Sequence, residues 1–440
     1  MTVMERVRAQ AQAATTYSDA PLPLGNVREQ LKRDLVEHLG LSTVASMASS
    51  GDVDSAREEI SIACHAILNT GAYEGVSGEL RETVVRQVLD EVCGLGPLQP
   101  LLDDPAITEV MVNGCDNLFY EKDGSLHPAQ RVFDSAEQIM LVIDRILAPL
   151  GRRLDKASPI VDARLPNGDR VNAVAAPVAI DGPAVTIRKF SNRITTLGHL
   201  RELGSVPGWY ACLLGWAVRM RKDIAVAGGT GSGKTTLLNA LSCEIDKDER
   251  IVTIEDSAEL RFDSHPNVVR MEARSASLEG TGEITIRDLV KNAMRMRPDR
   301  IVVGEVRGAE AVDMLTAMCT GHDGSMTSLH AGSAREAISR LTLMTRFGMD
   351  LPTNVIERQI ASALDLVVMS RRMADGSRYL SSLTLVEESD TGGVTLRECV
   401  SFDETTRSWT LVEEPAFVKQ GVREGILNEG EVELWRKSCA

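Results

Sequence analysis

Hydrophobic positions follow different rhythms in successive parts of this 440-residue chain. Residues 1–26 show no period; they are rich in Ala, Gln and Thr, end in Pro21-Leu22-Pro23, and read as a flexible tail. Residues 27–95 then carry three helical stripes. Val27, Leu31, Leu35 and Leu39 recur every four residues and stop at Gly40. Ile60, Ala63, Ile67 and Leu68 form a second stripe, and Leu80, Val84, Val85, Val88, Leu89 and Val92 a third that ends before Gly94. A small helical bundle is expected, serving as a spacer or as a docking surface for a polar or regulatory partner. The sequence leaves both open.

From 96 to 190 the rhythm shortens to β-type runs at 107–112, 117–120, 170–175 and 184–187, punctuated by Asp123-Gly124 and Asn167-Gly168. A helix over 135–147 places Ile139, Val142, Ile143 and Ile146 on one face, so this is an α+β domain. Residues 191–206 read as a linker. From 207 to 440 apolar β-branched runs alternate with helical patterns. Ile251 to Ile254 and Ile301 to Val303 suit a buried parallel sheet. Thr285 with Asp288 and Ser333 with Glu336 have helix-capping spacing, and Pro298 is expected to end the first of these helices. Residues 378–418 suggest a terminal β-meander.

One segment carries specific chemistry. Gly228-Gly229-Thr230-Gly231-Ser232-Gly233-Lys234-Thr235 fits the phosphate-binding loop at every fixed position, with Thr236 following. The strand-like Ile224 to Ala227 precedes it, and Leu237, Leu238 and Leu241 fall at helical spacing after it. Glycines let backbone N–H groups surround phosphate oxygens, and the helix N-terminus adds partial positive charge. Lys234 would reach the β- and γ-phosphates and Thr235 would ligate Mg²⁺. Nucleotide hydrolysis also requires metal support and a group that orients water. Two acidic elements stand at expected strand ends: Glu255-Asp256 with Glu259, and Glu305 in Gly304-Glu305, where an Asp-Glu ending is the commoner form. Glu305 and Glu255 are the candidate water-activating carboxylates, and Glu255, Asp256 and Glu259 join Thr235 as candidates around the metal. His322 and His330 lie in a small-residue segment downstream and suit phosphate sensing better than zinc, for which further ligands at the right spacing are lacking.

Composition narrows the classes. With 43% hydrophobic and 25% charged residues the chain is globular in type, and no apolar run reaches membrane-spanning length. The net charge of −15 argues against nucleic acid as a partner. Eight scattered cysteines without a C-x-x-C pair argue against a zinc ribbon or disulfide framework and suit a cytoplasmic protein.

Taken together, the phosphate loop, Thr253-Ile254-Glu255-Asp256-Ser257-Ala258-Glu259-Leu260, the segment Arg297 to Arg307, and the Thr-Gly-His to Ser-Leu-His segment ending at His330 resemble the bacterial type II and type IV secretion and pilus-motor ATPases. Ser257 stands where many members carry proline. The segments Gly96 to Leu102, Ile107 to Gly114, Val161 to Asn172 and Thr186 to Phe190 are most similar to the CpaF-type ATPases of tight-adherence (Tad or Flp) pili. The resemblance implies a RecA-like ATPase domain with a parallel sheet, preceded by a PAS-like α+β domain and a helical extension. It implies ATP with Mg²⁺, a homo-hexamer, and an inner-membrane platform protein reached from the cytoplasmic face. It also carries the role of phosphate-contacting arginine to Arg170 and Arg188, with Arg164 a further candidate, and marks Arg307 for coupling. The resulting expectation is a motor for pilus assembly or retraction. Its rivals are a type IV secretion traffic ATPase and, in another class, a nucleotide-switched scaffold with little turnover.

Overall fold

The computed structural model describes residues 24–40, 42–44, 53–73, 76–122, 124–129, 132–190, 195–262, 265–274, 281–390 and 392–439. Most of the expected tail, residues 1–23, and the first part of the expected linker, residues 191–194, lie outside them. Contacts divide the chain into two units, Met1–Ser191 and Asn192–Ala440.

In the first unit the three apolar stripes become helices Leu24–Leu39, Val53–Leu68 and Gly78–Val92, packed around Leu31, Leu35, Ile60, Val84 and Val88. Gly40 ends the first helix in the left-handed conformation, φ 83°, which only glycine adopts cheaply. Arg145 donates to the backbone oxygens of Glu91 and Gly94 at 2.7 and 2.8 Å, and Arg28 reaches Asp134 at 2.7 Å. These bonds tie the three helices to the helix Ala136–Leu147 and the segment before it. The unit's antiparallel sheet has β1 (Ile107–Asn113), β2 (Leu118–Lys122), β3 (Ser125–Pro128), β4 (Ile160–Arg164), β5 (Arg170–Val174) and β6 (Ala184–Arg188), in the order β3-β2-β1-β6-β5-β4. The helix Ala136–Leu147, capped by the Ser135 side chain, presses Ile139, Val142, Ile143 and Ile146 into a core shared with Val110, Val171 and Ile187. Neither β3 nor β4 was expected. Every residue of β3 is exposed, and β4 buries only Val161, so neither shows the alternation that marks a half-buried strand.

The second unit is a nine-stranded sheet in the order β15-β14-β13-β12-β7-β11-β10-β8-β9. Its strands are β7 (Ile224–Gly228), β8 (Ile251–Glu255), β9 (Val268–Glu272), β10 (Arg300–Val303), β11 (Met326–His330), β12 (Leu366–Arg372), β13 (Arg378–Glu388), β14 (Val394–Asp403) and β15 (Ser408–Leu411). From β12 to β9 every pairing is parallel, and β13 to β15 extend the sheet antiparallel. Strands β7, β8 and β10 are buried throughout, because helices cover both faces. One face packs on Gly208–Arg219 and Lys234–Ser242, the other on Glu310–Met318, Ala334–Gly348 and Thr353–Ala363. This is the RecA-like arrangement.

Three expectations change. The linker contains a helix, Leu197–Glu202, capped by Thr196, with Leu197 and Leu200 buried in the core. The helix after Thr285 does form a full capping box with Asp288, but it ends at Ala293, before Pro298. The terminal meander stops at Leu411 and gives way to helices Ala416–Arg423 and Glu429–Ser438.

The amino-terminal edge of the parallel sheet is held by one buried carboxyl. Asp223 accepts from the Ser325 N–H at 2.9 Å, its own N–H donates to Asp365, and its carbonyl accepts from Asp365 and Leu366. It thereby ties the starts of β7, β11 and β12. Burial, with the nearby Asp365 charge, pushes the Asp223 carboxyl up to about 8 from an ordinary 3.8. The folded chain holds this proton while the unfolded chain has lost it. The contribution to stability is therefore complete below about pH 4 and is lost as pH rises towards 8, by an amount on the order of a few kcal/mol. Asp223→Asn should flatten this decline when unfolding free energies are measured by urea titration at pH 5 and pH 8. An unchanged slope would contradict the assignment.

Candidate active site

Parallel strands end together, so residues far apart in sequence meet at one edge. The register pairs Gly228 with His330 on β11 and with Ser370 on β12. Val303 pairs with Ile254, which brings Gly304-Glu305 beside Glu255. The phosphate loop emerges from β7 at this edge and runs into the helix Lys234–Ser242. Gly231 and Gly233 have φ of 69° and 98°, the alternation that lets successive N–H groups face one concavity. A Cβ on Gly228 would stand 2.3 Å from the Ser370 carbonyl oxygen, so a side chain there is excluded. Lys234 is buried, and its Nζ donates to the loop's own carbonyls, Gly229 at 3.0 Å and Gly228 at 3.3 Å.

The acidic residues surround this loop in two layers. Glu255 is buried at the end of β8, and its Oε2 accepts the N–H groups of Glu259 and Leu260 at 2.7 and 2.8 Å. Its Oε1 is buried without a hydrogen-bond partner among the described residues. Burial outweighs those two bonds and pushes the carboxyl up to about 7. Glu259 in turn accepts from the Thr235 hydroxyl at 3.3 Å. Glu305 follows β10, bonded by Arg307 at 2.7 Å through Oε2, with His330 Nε2 3.0 Å from its Oε1. That second contact lies within ion-pair distance but lacks hydrogen-bond geometry, which leaves Oε1 an unsatisfied acceptor. Burial acts to raise the Glu305 pKa, yet Arg307, His330 and Lys234 overcome it and hold the carboxyl below its usual range. Burial and the Lys234 charge hold His330 below its ordinary value, against the pull of Glu305. Arg307 also lies 3.9 Å from Asp256.

Gly304 explains the unusual Gly-Glu ending. A Cβ at 304 would meet the Glu255 Cγ at 2.8 Å, so the small residue makes room for the buried glutamate of the neighbouring strand. The oxygen donors that the structure sets beside the loop are the Thr235 hydroxyl and the Glu259 carboxylate bonded to it, a type of donor that a hydrated Mg²⁺ takes. Among the described residues no group of three His, Cys, Asp or Glu could hold a metal unaided.

One expected residue, His322, is not gathered here, and the three expected arginines stand on the other unit. His322 precedes β11, whose first residue Met326 pairs with Ile224 at the start of β7. It therefore sits at the opposite edge of the sheet, a strand length of about 13 Å or more from the loop, where its Nδ1 lies 3.1 Å from the Ala317 carbonyl oxygen. The expectation that it joins the nucleotide site is corrected accordingly. Arg164, Arg170 and Arg188 belong to the first unit. There the register sets Arg164 opposite Arg170, and Arg170 opposite Arg188, on the face away from the core residues Val171 and Ile187. Like charges directly opposite each other repel, and Asp162, 3.8 Å from Arg170, offsets this in part.

Side chains that the sequence did not mark also reach the loop. Ser370 donates to the Ser232 carbonyl at 2.6 Å and Arg378 to the Gly231 carbonyl at 2.9 Å. Arg372 Nη1 would lie 3.2 Å from a Cβ on Gly231. All three come from β12 and β13, joined by a turn at Asp375-Gly376, and nothing in the sequence spacing says which loop the hairpin touches.

Residues 91–437 match the family described as type II/IV secretion system protein. A putative conjugal transfer protein of Mycobacterium tuberculosis (strain H37Rv) is 37% identical over 312 residues, covering 70% of this chain and 88% of that protein. The type IV secretion system protein VirB11 of Brucella suis biovar 1 is 35% identical over 331 residues, covering 69% of this chain and 92% of that protein. The crystal structure of the Brucella suis VirB11 ATPase in complex with sulphate aligns at 32% identity over 66% of this chain and 95% of that one, with a TM-score of 0.37. Matched over most of its length, with a complete phosphate loop at the carboxyl edge of its parallel sheet, the chain belongs to the type II/IV secretion system ATPase family.

Proposed function

We propose that the protein is an ATP-hydrolysing motor, working as a homo-hexamer, that drives assembly or retraction of a tight-adherence pilus or a related secretion process through an inner-membrane platform protein. The observation that carries the hydrolytic reading is the convergence of Lys234, Thr235, Glu255, Glu305 and His330 at one sheet edge around the phosphate loop. The tight-adherence assignment rests on the segments quoted from residues 96–190. Relatives that carry the names VirB11 and conjugal transfer protein favour a second reading, a type IV secretion traffic ATPase, with the same chemistry. No helix among the described residues is long and apolar enough to cross a membrane, so force would pass to a partner at the inner face of the membrane. In this reading the helices of 27–95 and the α+β part of 96–190 act as one body moved against the ATPase part of 207–440, with 191–206 between them.

The chemistry assigned to each residue follows its place. On binding ATP, Lys234 exchanges the Gly228 and Gly229 carbonyls for β- and γ-phosphate oxygens. The N–H groups of the loop and the helix start hold the same oxygens. Mg²⁺, when bound beside Thr235, supplies charge neutralisation at the phosphates. Glu305, kept ionised by Arg307 and Lys234, turns its unsatisfied Oε1 to the attacking water, and His330 fixes that carboxylate's direction. Glu255 steadies the 255–260 turn through two N–H bonds and so positions Glu259 against Thr235. The row Arg164–Arg170–Arg188 gathers three guanidinium groups on one face of the first unit's sheet, which supports its reading as a phosphate-facing surface.

Two outcomes test this. Glu305→Gln should leave ATP affinity close to normal while kcat falls at least about a hundredfold, roughly 2.7 kcal/mol of barrier. Lost affinity with turnover preserved at saturation would make Glu305 a binding or structural residue instead. Arg188→Ala and Arg170→Ala should bind ATP yet hydrolyse it poorly. If the arginine acts on a neighbour's nucleotide, mixing Arg188→Ala with Lys234→Ala subunits should recover part of the activity. Mixed rings that form without any recovery would exclude action between subunits.

A further inference from the structure

The hairpin of β12 and β13 makes contacts with the phosphate loop that catalysis as described above does not use. Three consecutive features of the loop are engaged from this side. Ser370, paired with Gly228, donates its Oγ to the Ser232 carbonyl at 2.6 Å. Arg378 donates its Nε to the Gly231 carbonyl at 2.9 Å. Its Cδ would lie 3.5 Å from a Cβ on Gly233, and Arg372 lies over Gly231. Two successive carbonyls are therefore held outward, towards the hairpin.

The peptide unit is planar and trans, so its C=O and N–H point in opposite directions. Holding the Gly231 carbonyl towards Arg378 turns the Ser232 N–H the other way, and holding the Ser232 carbonyl towards Ser370 does the same for the Gly233 N–H. These donors belong to the nest that surrounds a phosphate. Within the loop the Ser232 N–H donates to the Gly229 carbonyl at 3.4 Å, a long bond that a phosphate oxygen can replace. Glycine at 231 and 233 gives the loop the freedom to form the nest, and the same freedom lets it collapse when nothing holds it.

From this geometry we infer that Arg378 and Ser370 are positioning residues for nucleotide binding: the β12–β13 hairpin fixes two consecutive peptide planes of the phosphate loop so that their N–H groups are aimed at the phosphates before ATP arrives. Arg372 adds a second guanidinium on the same side. The inference rests on the reading of Gly228–Thr235 as the ATP site and adds a preorganising element supplied within the same subunit. Preorganisation lowers the ordering cost of binding, so its loss appears in affinity more than in the chemical step.

The test is equilibrium binding of a fluorescent ATP analogue to the full chain, with steady-state hydrolysis on the same samples. Arg378→Ala and Ser370→Ala should each weaken binding about threefold to tenfold, with kcat at saturating ATP within about twofold of wild type. Arg378→Lys, which retains a cationic donor for the Gly231 carbonyl, should restore most of the affinity; a merely structural role for the guanidinium would not give that split or that rescue. Because Arg378 is exposed, its substitution should leave the thermal midpoint of the nucleotide-free protein unchanged. Lys234→Ala serves as the control. If Lys234→Ala abolishes binding while Arg378→Ala and Ser370→Ala bind like wild type, or lose kcat at normal affinity, the inference is overturned and the ATP site stands. If Lys234→Ala itself binds normally, the site reading fails and the inference fails with it.

Discussion

Everything at the site depends on β7 lying between β11 and β12 with all three strands parallel. That placement sandwiches Gly228 between His330 and Ser370. It also delivers the loop, the histidine and the hairpin to the same edge. Three strand starts are fastened at the opposite edge by Asp223, a buried group that stays protonated well above the ordinary carboxylate range. The sheet is thus fixed at one end by hydrogen bonds that the Asp223 and Asp365 carboxyls and the Asp223 carbonyl accept from backbone N–H groups, and left open at the other, where backbone N–H groups and charged side chains collect. Moving β7 by one residue relative to β12 would take Gly228 away from the Ser370 carbonyl, and a loop that needs close backbone approach would lose its seat.

The electrostatics of the edge follow from burial working against proximity. Glu255 and Glu305 are both acids at strand ends, yet they diverge. Glu255 is enclosed, has backbone donors on one oxygen only, and is pushed up to about 7. Glu305 is less enclosed and faces Arg307, His330 and Lys234, which together hold it ionised. Environments that separate two carboxyl groups in this way let one act as a negatively charged orienting group while the other braces a turn. Lys234 takes part on both sides, as a donor to the loop carbonyls and as a cation felt by Glu305 and His330.

The parts legible in the sequence were those whose chemistry is local. The phosphate loop needs glycines at fixed spacing because the backbone itself does the binding, so its spacing survives in the text of the chain. The capping box at Thr285 and the cap at Ser333 were legible for the same reason. What depended on register was not. The Arg164–Arg170–Arg188 row exists only because three strands pair at one level, and the histidines looked alike until β11 gave them opposite ends. Gly304 read as a departure from a common pattern because its reason, the Glu255 side chain, stands on another strand. The helix at Leu197–Glu202 was missed although Thr196 gives a cap, because a Ser- and Gly-bearing stretch hid two buried leucines.

In the proposed function the carboxyl edge of this sheet receives ATP, and Lys234 leaves its carbonyl partners for the phosphates. A structure of the assembled protein with a non-hydrolysable ATP analogue and Mg²⁺ tests it most directly. The expected result is phosphate oxygens against the N–H groups of Gly231 to Thr235, Lys234 Nζ moved from Gly228 and Gly229 onto the β- and γ-phosphates, and Glu305 facing the γ-phosphate. Nucleotide bound elsewhere, or Lys234 still donating to the loop carbonyls with the nucleotide in place, would contradict it.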